Sequence, residues 1–311
     1  MILSKSRLYR VSELCKLFGR TKQAYYQHQD TILKKLAEES FVVEYVKSVR
    51  KSDGGIGGLK LWQMCHSEFG EREAIGRDRF EAIIAKNGLN VRKRTYTPRT
   101  TDSTHGLPTY PNLVKSYIPF APNKLWVSDI TYQKIWDDTE KETYHFCYIS
   151  LVTDYYTKQI VGYAVGQTLA ASYSIEALNM ALESSNERSA GLIHHSDRGV
   201  QYASYEYIKL LKDSDITISM TESGDPKDNA VAERVNNTLK NELFKGMTFY
   251  TIEQVRKAMK TAVDFYNHRR PHMSLDMMTP AEAAKKTGEI TKKWTSHREN
   301  HIKALKLEEK R

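Results

Sequence analysis

Leu192-Ile-His-His-Ser-Asp197-Arg-Gly-Val-Gln-Tyr202 and, further on, Asp228-Asn-Ala-Val-Ala-Glu233 bracket the most informative stretch of the chain. The first begins as an apolar run that reads as a buried strand, and Asp197 closes it. The second opens an amphipathic helix that can start at Asp228, with Glu233 about one and a half turns in. Thirty-five residues lie between the two acids. A third acid, Asp129, interrupts Leu125-Trp-Val-Ser-Asp-Ile-Thr-Tyr132, where strand alternation puts it on the face of Leu125 and Val127. Three acids directed at one site suggest metal binding.

Outward from these acids, the segment 123–245 shows β-like runs at 125–132, 144–152 and 159–165, spaced for a three-stranded meander. A helix at about 172–184, a strand at 192–196, a helix at about 202–211, a strand at 216–219 and the Glu233 helix follow. This order predicts an α/β catalytic core with a mixed five-stranded sheet. In such sheets sites form near strand ends, which is where Asp197 falls.

The flanks read differently. Residues 1–30 hold Val11, Leu14, Leu17 and Phe18 at helical spacing, Gly19 as a break and Thr21 as an N-cap, which predicts a helix-turn-helix-like segment. Short helix pairs of this kind also occur in ordinary bundles. Residues 31–90 read as a helical DNA-binding domain, with a second helix over 31–49 and another from 76 to 86 that turns Arg77, Arg79 and Lys86 outward. The run Gly54-Gly-Ile-Gly-Gly58 between them is not a phosphate-binding fingerprint, because it follows a helix rather than a strand. Residues 91–122 form a basic linker, in which Arg92, Lys93 and Arg94 suit either tracking of a phosphate backbone or plain solvation. Residues 246–311 are a basic helical C-terminal extension that carries Val255, Met259, Val263 and Phe265, then Tyr266-Asn-His-Arg-Arg-Pro-His272. Thr279 can cap one more helix.

Charge follows the same division. Residues 1–118 carry 21 basic and 12 acidic side chains, 119–245 carry 12 and 18, and 246–311 carry 14 and 8. Basic flanks suit a polyanion, and an acidic centre repels one unless cations neutralise it. Three scattered cysteines without a Cys-x-x-Cys give neither a disulfide framework nor a zinc knuckle. The apolar runs are far shorter than the roughly 20 residues that span a bilayer, so no membrane partner is expected.

Phosphodiester chemistry needs an activated oxygen nucleophile and neutralisation of the leaving oxygen, and two Mg²⁺ ions provide both. Three carboxylates with no histidine or cysteine ligand suit Mg²⁺, or Mn²⁺ as a substitute, better than zinc. Asp129, Asp197 and Glu233 are the expected ligands. His194 and His195 point to opposite strand faces and read as structural. Asp154 reads as turn chemistry, and Asp137, Asp138, Glu140 and Glu142 as a solvated loop. On the Glu233 helix, Val231, Val235 and Leu239 form one stripe, while Glu233, Asn236, Asn237 and Lys240 share the other side. That placement makes Lys240 and Asn237 expected DNA contacts, beside Arg269 and Arg270 in the C-terminal motif.

Six motifs in order carry a resemblance: Trp126-Val-Ser-Asp129-Ile-Thr, Ile160-Val-Gly162, His195-Ser-Asp197-Arg-Gly199-Val-Gln201-Tyr, Asp228-Asn-Ala-Val-Ala-Glu233, Thr238-Leu-Lys240 and Tyr266-Asn-His-Arg-Arg-Pro-His272. Over roughly residues 40–285 the chain resembles the downstream-frame transposases of the IS-three group of bacterial insertion sequences. Their core is shared with retroviral integrases and is ribonuclease-H-like. The resemblance implies a catalytic triad of Asp129, Asp197 and Glu233 that binds two Mg²⁺, for cleavage at transposon ends and transfer of the freed 3′ hydroxyl. It implies double-stranded DNA as partner, a homo-oligomer on DNA, a bacterial cytoplasmic protein at the nucleoid, and in many members fusion to an upstream-frame helix-turn-helix protein. Where the family usually has Tyr-Gly-Tyr-Arg-Arg, this chain has Gly55-Ile-Gly-Gly-Leu-Lys60, without the aromatics and arginines. The rival readings are a metal-dependent nuclease of the same fold and a DNA-binding regulator with a dormant core.

Overall fold

The computed structural model describes residues 10–70, 75–91, 106–185, 191–222, 229–296, 299–300 and 302–304. Its centre is a five-stranded sheet: β1 (Leu125–Trp136), β2 (Tyr144–Asp154), β3 (Ile160–Gly166), β4 (Ile193–Ser196) and β5 (Thr217–Met220), in spatial order β3-β2-β1-β4-β5. The first three strands form the antiparallel meander, and β4 and β5 run parallel to β1. Parallel pairing requires crossovers. Those crossovers are α5 (Ala171–Ser184) before β4, and α6 (Val200–Ala203) with α7 (Tyr205–Asp213) before β5. The mixed five-stranded sheet expected from the sequence is therefore present, with the ribonuclease-H-like layout that the resemblance implies. One expected helix is two, because Ser204 breaks the run and caps α7 through its side chain, which accepts from Tyr207 N–H.

Alternation divides the sheet between two cores. Trp126 and Val152 face α5 to α7 and pack with Ala177, Leu178, Tyr207 and Leu211. On the opposite face Ile135, Cys147, Ile149 and Leu151 meet α8 (Ala230–Thr238), its continuation and α9 (Ile252–His268). Gly162 explains how closely α5 lies on β3: a Cβ there would sit 2.0 Å from the Ala177 carbonyl oxygen.

The N-terminal part is all-α, with α1 (Val11–Leu17), α2 (Lys22–Arg50), α3 (Gly58–Phe69) and α4 (Arg77–Lys86). Thr21 caps α2 as its sequence suggests, accepting from Ala24 N–H at 3.0 Å. One 29-residue helix replaces the two expected around residue 30. No glycine or proline interrupts 22–50, so nothing stops the helix once it is capped. Val42, Val46, Leu61, Phe80 and Ile84 belong to the same buried cluster as the α9 face and the sheet. Part of the expected linker also docks on the core: Leu113 N–H donates to Ser219 Oγ at 2.9 Å, and Val114 is buried against Leu125 and Val127. Among the described residues no helix is long and apolar enough to cross a membrane.

Candidate active site

Asp129 lies in the middle of β1, on the edge that β4 leaves unpaired, since β4 pairs with only residues 125–127. Asp197 follows the last residue of the short β4, and its Oδ1 accepts from Gly199 N–H at 2.9 Å. A Cβ on Gly199 would sit 2.9 Å from that same oxygen, which accounts for the glycine in Asp-Arg-Gly. Glu233 is in the first turn of α8, where the helix dipole favours a carboxylate. The helix start is anchored to β1 by Asn229, whose side-chain amide donates to Ser128 O at 2.9 Å. Asp228, the expected start, lies outside the described residues; α8 begins at Ala230 after Asn229.

The three acids feel one another. Burial first, then the negative charges of Asp197 and Glu233, push the Asp129 carboxyl from 3.8 up to about 7. The Asn236 amide opposes this by donating to Asp129 Oδ2 at 2.6 Å. The arrangement is open: among the described residues no three His, Cys, Asp or Glu side chains close on one point as a ligand cage. The buried polar atoms that lack a hydrogen-bond partner among the described residues include Asn229 Oδ1, Asn236 Oδ1 and the Tyr202 hydroxyl in this cluster. Burial, Tyr207 and the charges of Asp129 and Asp197 all raise the Tyr202 pKa and keep that phenol protonated.

Lys240 is half-buried with its ammonium 3.9 Å from the Tyr132 ring centroid. Burial lowers its pKa and attraction to Asp129 opposes the shift, so the cation lies within electrostatic reach of that acid. It sits in a single π-helical turn, Leu239–Leu243, in which Phe244 N–H donates to Leu239 O at 2.8 Å. Asn237 is exposed on the same helix. Arg92, Lys93 and Arg94 lie outside the described residues.

The two C-terminal arginines part ways: Arg269 stays on the surface, and Arg270, expected at a DNA contact, is turned inward. Arg270 is 2 % exposed, and its guanidinium meets Glu242 and the wholly buried Asp53, the latter at 3.3 Å. Such a burial needs charge partners, and those two carboxylates supply them. Arg269 pairs with Glu68 at 2.6 Å while remaining partly exposed. The glycine run belongs to this cluster: Gly55 N–H donates to Glu242 O at 3.0 Å, and a Cβ on Gly55 would sit 2.3 Å from Glu242 Cα. Lys60 completes it, 3.8 Å from Glu242, with its pKa lowered by burial to about 8.

The histidines are structural, as alternation suggests. His194 Nε2 lies 2.7 Å from Ser128 Oγ and 2.9 Å from the Tyr207 hydroxyl, and burial lowers its pKa to about 3. His195 points the other way, with Nδ1 2.9 Å from Ser219 Oγ. Asp154 makes the expected turn but is buried, accepting from Thr157 N–H at 2.7 Å and Asn123 N–H at 2.8 Å. Sequence reasoning left Asn229, Asn236 and Tyr202 out of the site. Asn229 and Asn236 stand four residues before and three after Glu233, a helical spacing that marks them. Tyr202 has no comparable signal.

Two integrase core domain families match the chain, at residues 119–226 and 214–280. An insertion element IS600 uncharacterized 31 kDa protein of Shigella sonnei is 33% identical over 277 residues, covering 86% of this chain and 96% of its own length. A putative transposase for insertion sequence element IS986/IS6110 of Mycobacterium tuberculosis is 33% identical over 246 residues, covering 77% and 85%. The chain belongs to the insertion-sequence transposases with an integrase core. Its activity is that of a polynucleotidyl transferase acting on DNA. Among solved structures, the HTLV-2 integrase catalytic core domain in complex with magnesium aligns with a TM-score of 0.40 at 16% identity, over 54% of this chain and 99% of that one.

Proposed function

We propose that this transposase cuts at the ends of its insertion sequence and transfers the freed 3′ hydroxyl to target DNA, with Asp129, Asp197 and Glu233 as its catalytic residues and the ligands of two Mg²⁺ or Mn²⁺ ions. The observation that carries the reading is the gathering of Asp129 with Asp197 and Glu233, where burial first and then the charges of the other two acids raise the Asp129 carboxyl to about 7. Such mutual repulsion is what a divalent cation relieves. An all-oxygen donor set, with the orphaned Asn236 Oδ1 beside it, fits a hard ion. When bound, the ions supply an activated oxygen nucleophile and neutralise the leaving oxygen.

The chain's own groups do the positioning. Asn236 holds one Asp129 oxygen, Gly199 N–H holds one Asp197 oxygen, and Asn229 ties the Glu233 helix to β1. Lys240 and Asn237 contact phosphates beside the acids, and the exposed arginine of the C-terminal motif, Arg269, adds charge further out. The helical N-terminal part and the basic segment 92–94 hold the transposon end. The protein works as a homo-oligomer in the bacterial cytoplasm, at the nucleoid, with an upstream-frame helix-turn-helix partner.

An end substrate with a free 3′ hydroxyl, incubated with target DNA and Mg²⁺, tests this. Joined products are expected, and fragments alone would favour the plain nuclease. Asp197→Asn is expected to lose both cutting and joining while keeping DNA binding. Undiminished cutting by that variant would sink the assignment of the triad.

A further inference from the structure

The β1–β2 ribbon continues beyond the rest of the sheet. β4 pairs with β1 only as far as Val127, and β3 pairs with β2 only from Tyr148 onward. On one face of this ribbon the register sets Tyr132 opposite Tyr148, Lys134 opposite Phe146 and Trp136 opposite Tyr144. The rings meet edge to face in sequence: Tyr132 and Phe146 at 5.0 Å between centroids, Phe146 and Tyr144 at 5.4 Å, Tyr144 and Trp136 at 5.3 Å. Two ammonium groups lie over this ladder. Lys134 Nζ is 3.8 Å from the Tyr144 centroid and 5.5 Å from Trp136, and Lys240 Nζ is 3.9 Å from Tyr132.

The face stays partly open to solvent. Tyr144 is 44% exposed and Lys134 is exposed, while Tyr132, Trp136 and Phe146 are half-buried. The register places no carboxylate on this face from Ile130 to Trp136 or from Tyr144 to Ser150; the acids at 137, 138, 140 and 142 begin only at the turn. Half-open rings interleaved with cations suit unpaired nucleotides, because every base offers a π-face and the ammonium groups meet the backbone. Paired bases keep their faces inside the duplex stack and cannot use such a ladder. Tyr132 lies three residues past Asp129, about 10 Å along the strand and by alternation on the other face. Lys240, 3.9 Å from the Tyr132 ring and attracted to Asp129, joins the near end of the ladder to the active site across the open edge of β1.

We infer that Tyr132, Phe146, Tyr144 and Trp136, with Lys134 and Lys240, form a stacking track for unpaired nucleotides adjoining the cleaved DNA end. The track rests on the DNA-cleavage reading above and adds to it the class of strand the site accommodates. It guides the single strand away from the acids and separates it from its complement.

The test titrates the full chain against two fluorescent duplexes of one sequence, blunt or with an unpaired 3′ overhang, in chelator so that no strand is cut. Tyr144→Ala and Tyr144→Leu are expected to weaken binding of the overhang duplex by about 5- to 150-fold while blunt-duplex affinity stays within about twofold. Tyr144→Phe, which keeps the ring, is expected to bind like the unsubstituted chain. Equal weakening of both duplexes, or of neither, overturns the track. So does a smaller sedimentation coefficient for DNA-free Tyr144→Ala, which would assign the ladder to a second copy of the chain. If the unsubstituted chain binds neither duplex, the DNA-cleavage reading fails and takes the track with it.

Discussion

Arg270→Met should be among the most destabilising single changes in this protein. The substitution keeps the aliphatic stem but removes the guanidinium that Asp53 and Glu242 share. Asp53 is then left at 0% exposure, with Gly55 N–H at 3.1 Å as its remaining hydrogen bond among those described. Burial already raises its pKa even with Arg270 present. Breaking a buried pair by removing one partner costs about 3–5 kcal/mol, because a buried charge loses its compensation. At about 2–4 °C per kcal/mol for a domain of this size, the fall in Tm is about 6–20 °C. Glu242 suffers less, since it is partly exposed and keeps Lys60 at 3.8 Å. Lys60 itself gains, because Arg270 is one of the charges that lower its pKa.

The control is Asp53→Asn combined with Arg270→Met. Asparagine retains an acceptor for Gly55 N–H and carries no charge, so the pair should recover most of the loss. Urea unfolding followed by far-UV circular dichroism, with m-values compared, measures all three proteins. A single variant within about 1 kcal/mol of the unsubstituted chain, or a double variant no better than the single, would refute the claim that this is a buried charge pair.

Asp129→Asn gives a pH signature. The folded-state carboxyl titrates at about 7 against 3.8 when unperturbed, so the folded form holds its proton more tightly. That contribution is fully present below pH 4 and is lost as pH rises through 7. Without divalent ions, the variant should therefore melt higher than the unsubstituted chain at pH 8 and about equally at pH 4; an equal offset at both would contradict the coupling. Gly162→Ala should destabilise by about 1–3 kcal/mol, because its Cβ meets backbone atoms of α5 that cannot rotate away. Urea unfolding checks this, and a loss below about 0.5 kcal/mol would show that α5 lifts off β3 with ease.

The sheet was legible because strand alternation and turn residues repeat a local pattern: the runs around Trp126, Ile149 and Ala164 each bury the residues their period assigns. The acids were legible for the same reason, as each interrupts or ends an apolar run. The length of α2 was not legible because the reading divides 22–50 near residue 30, although the stretch contains no helix breaker. Arg270 was misjudged because a basic motif has the same composition on a surface or in an interior. Asp53, 217 positions earlier in the chain, and Glu242 make the difference.

By itself the sequence determined the succession of strands and helices along the core, the three acids to propose for the site and the kind of chemistry they suit. Those properties follow from residue type and period, which are local. Tertiary structure decided how far Asp129 is perturbed, that Asn236 and Tyr202 join the site, and that the glycine run closes on Glu242. It also decided that the aromatic ring faces of the β1–β2 ribbon remain partly open beside Lys240. Each of these depends on distances between residues far apart in the chain, and electrostatic coupling and close packing fall off too steeply with distance to be read without them.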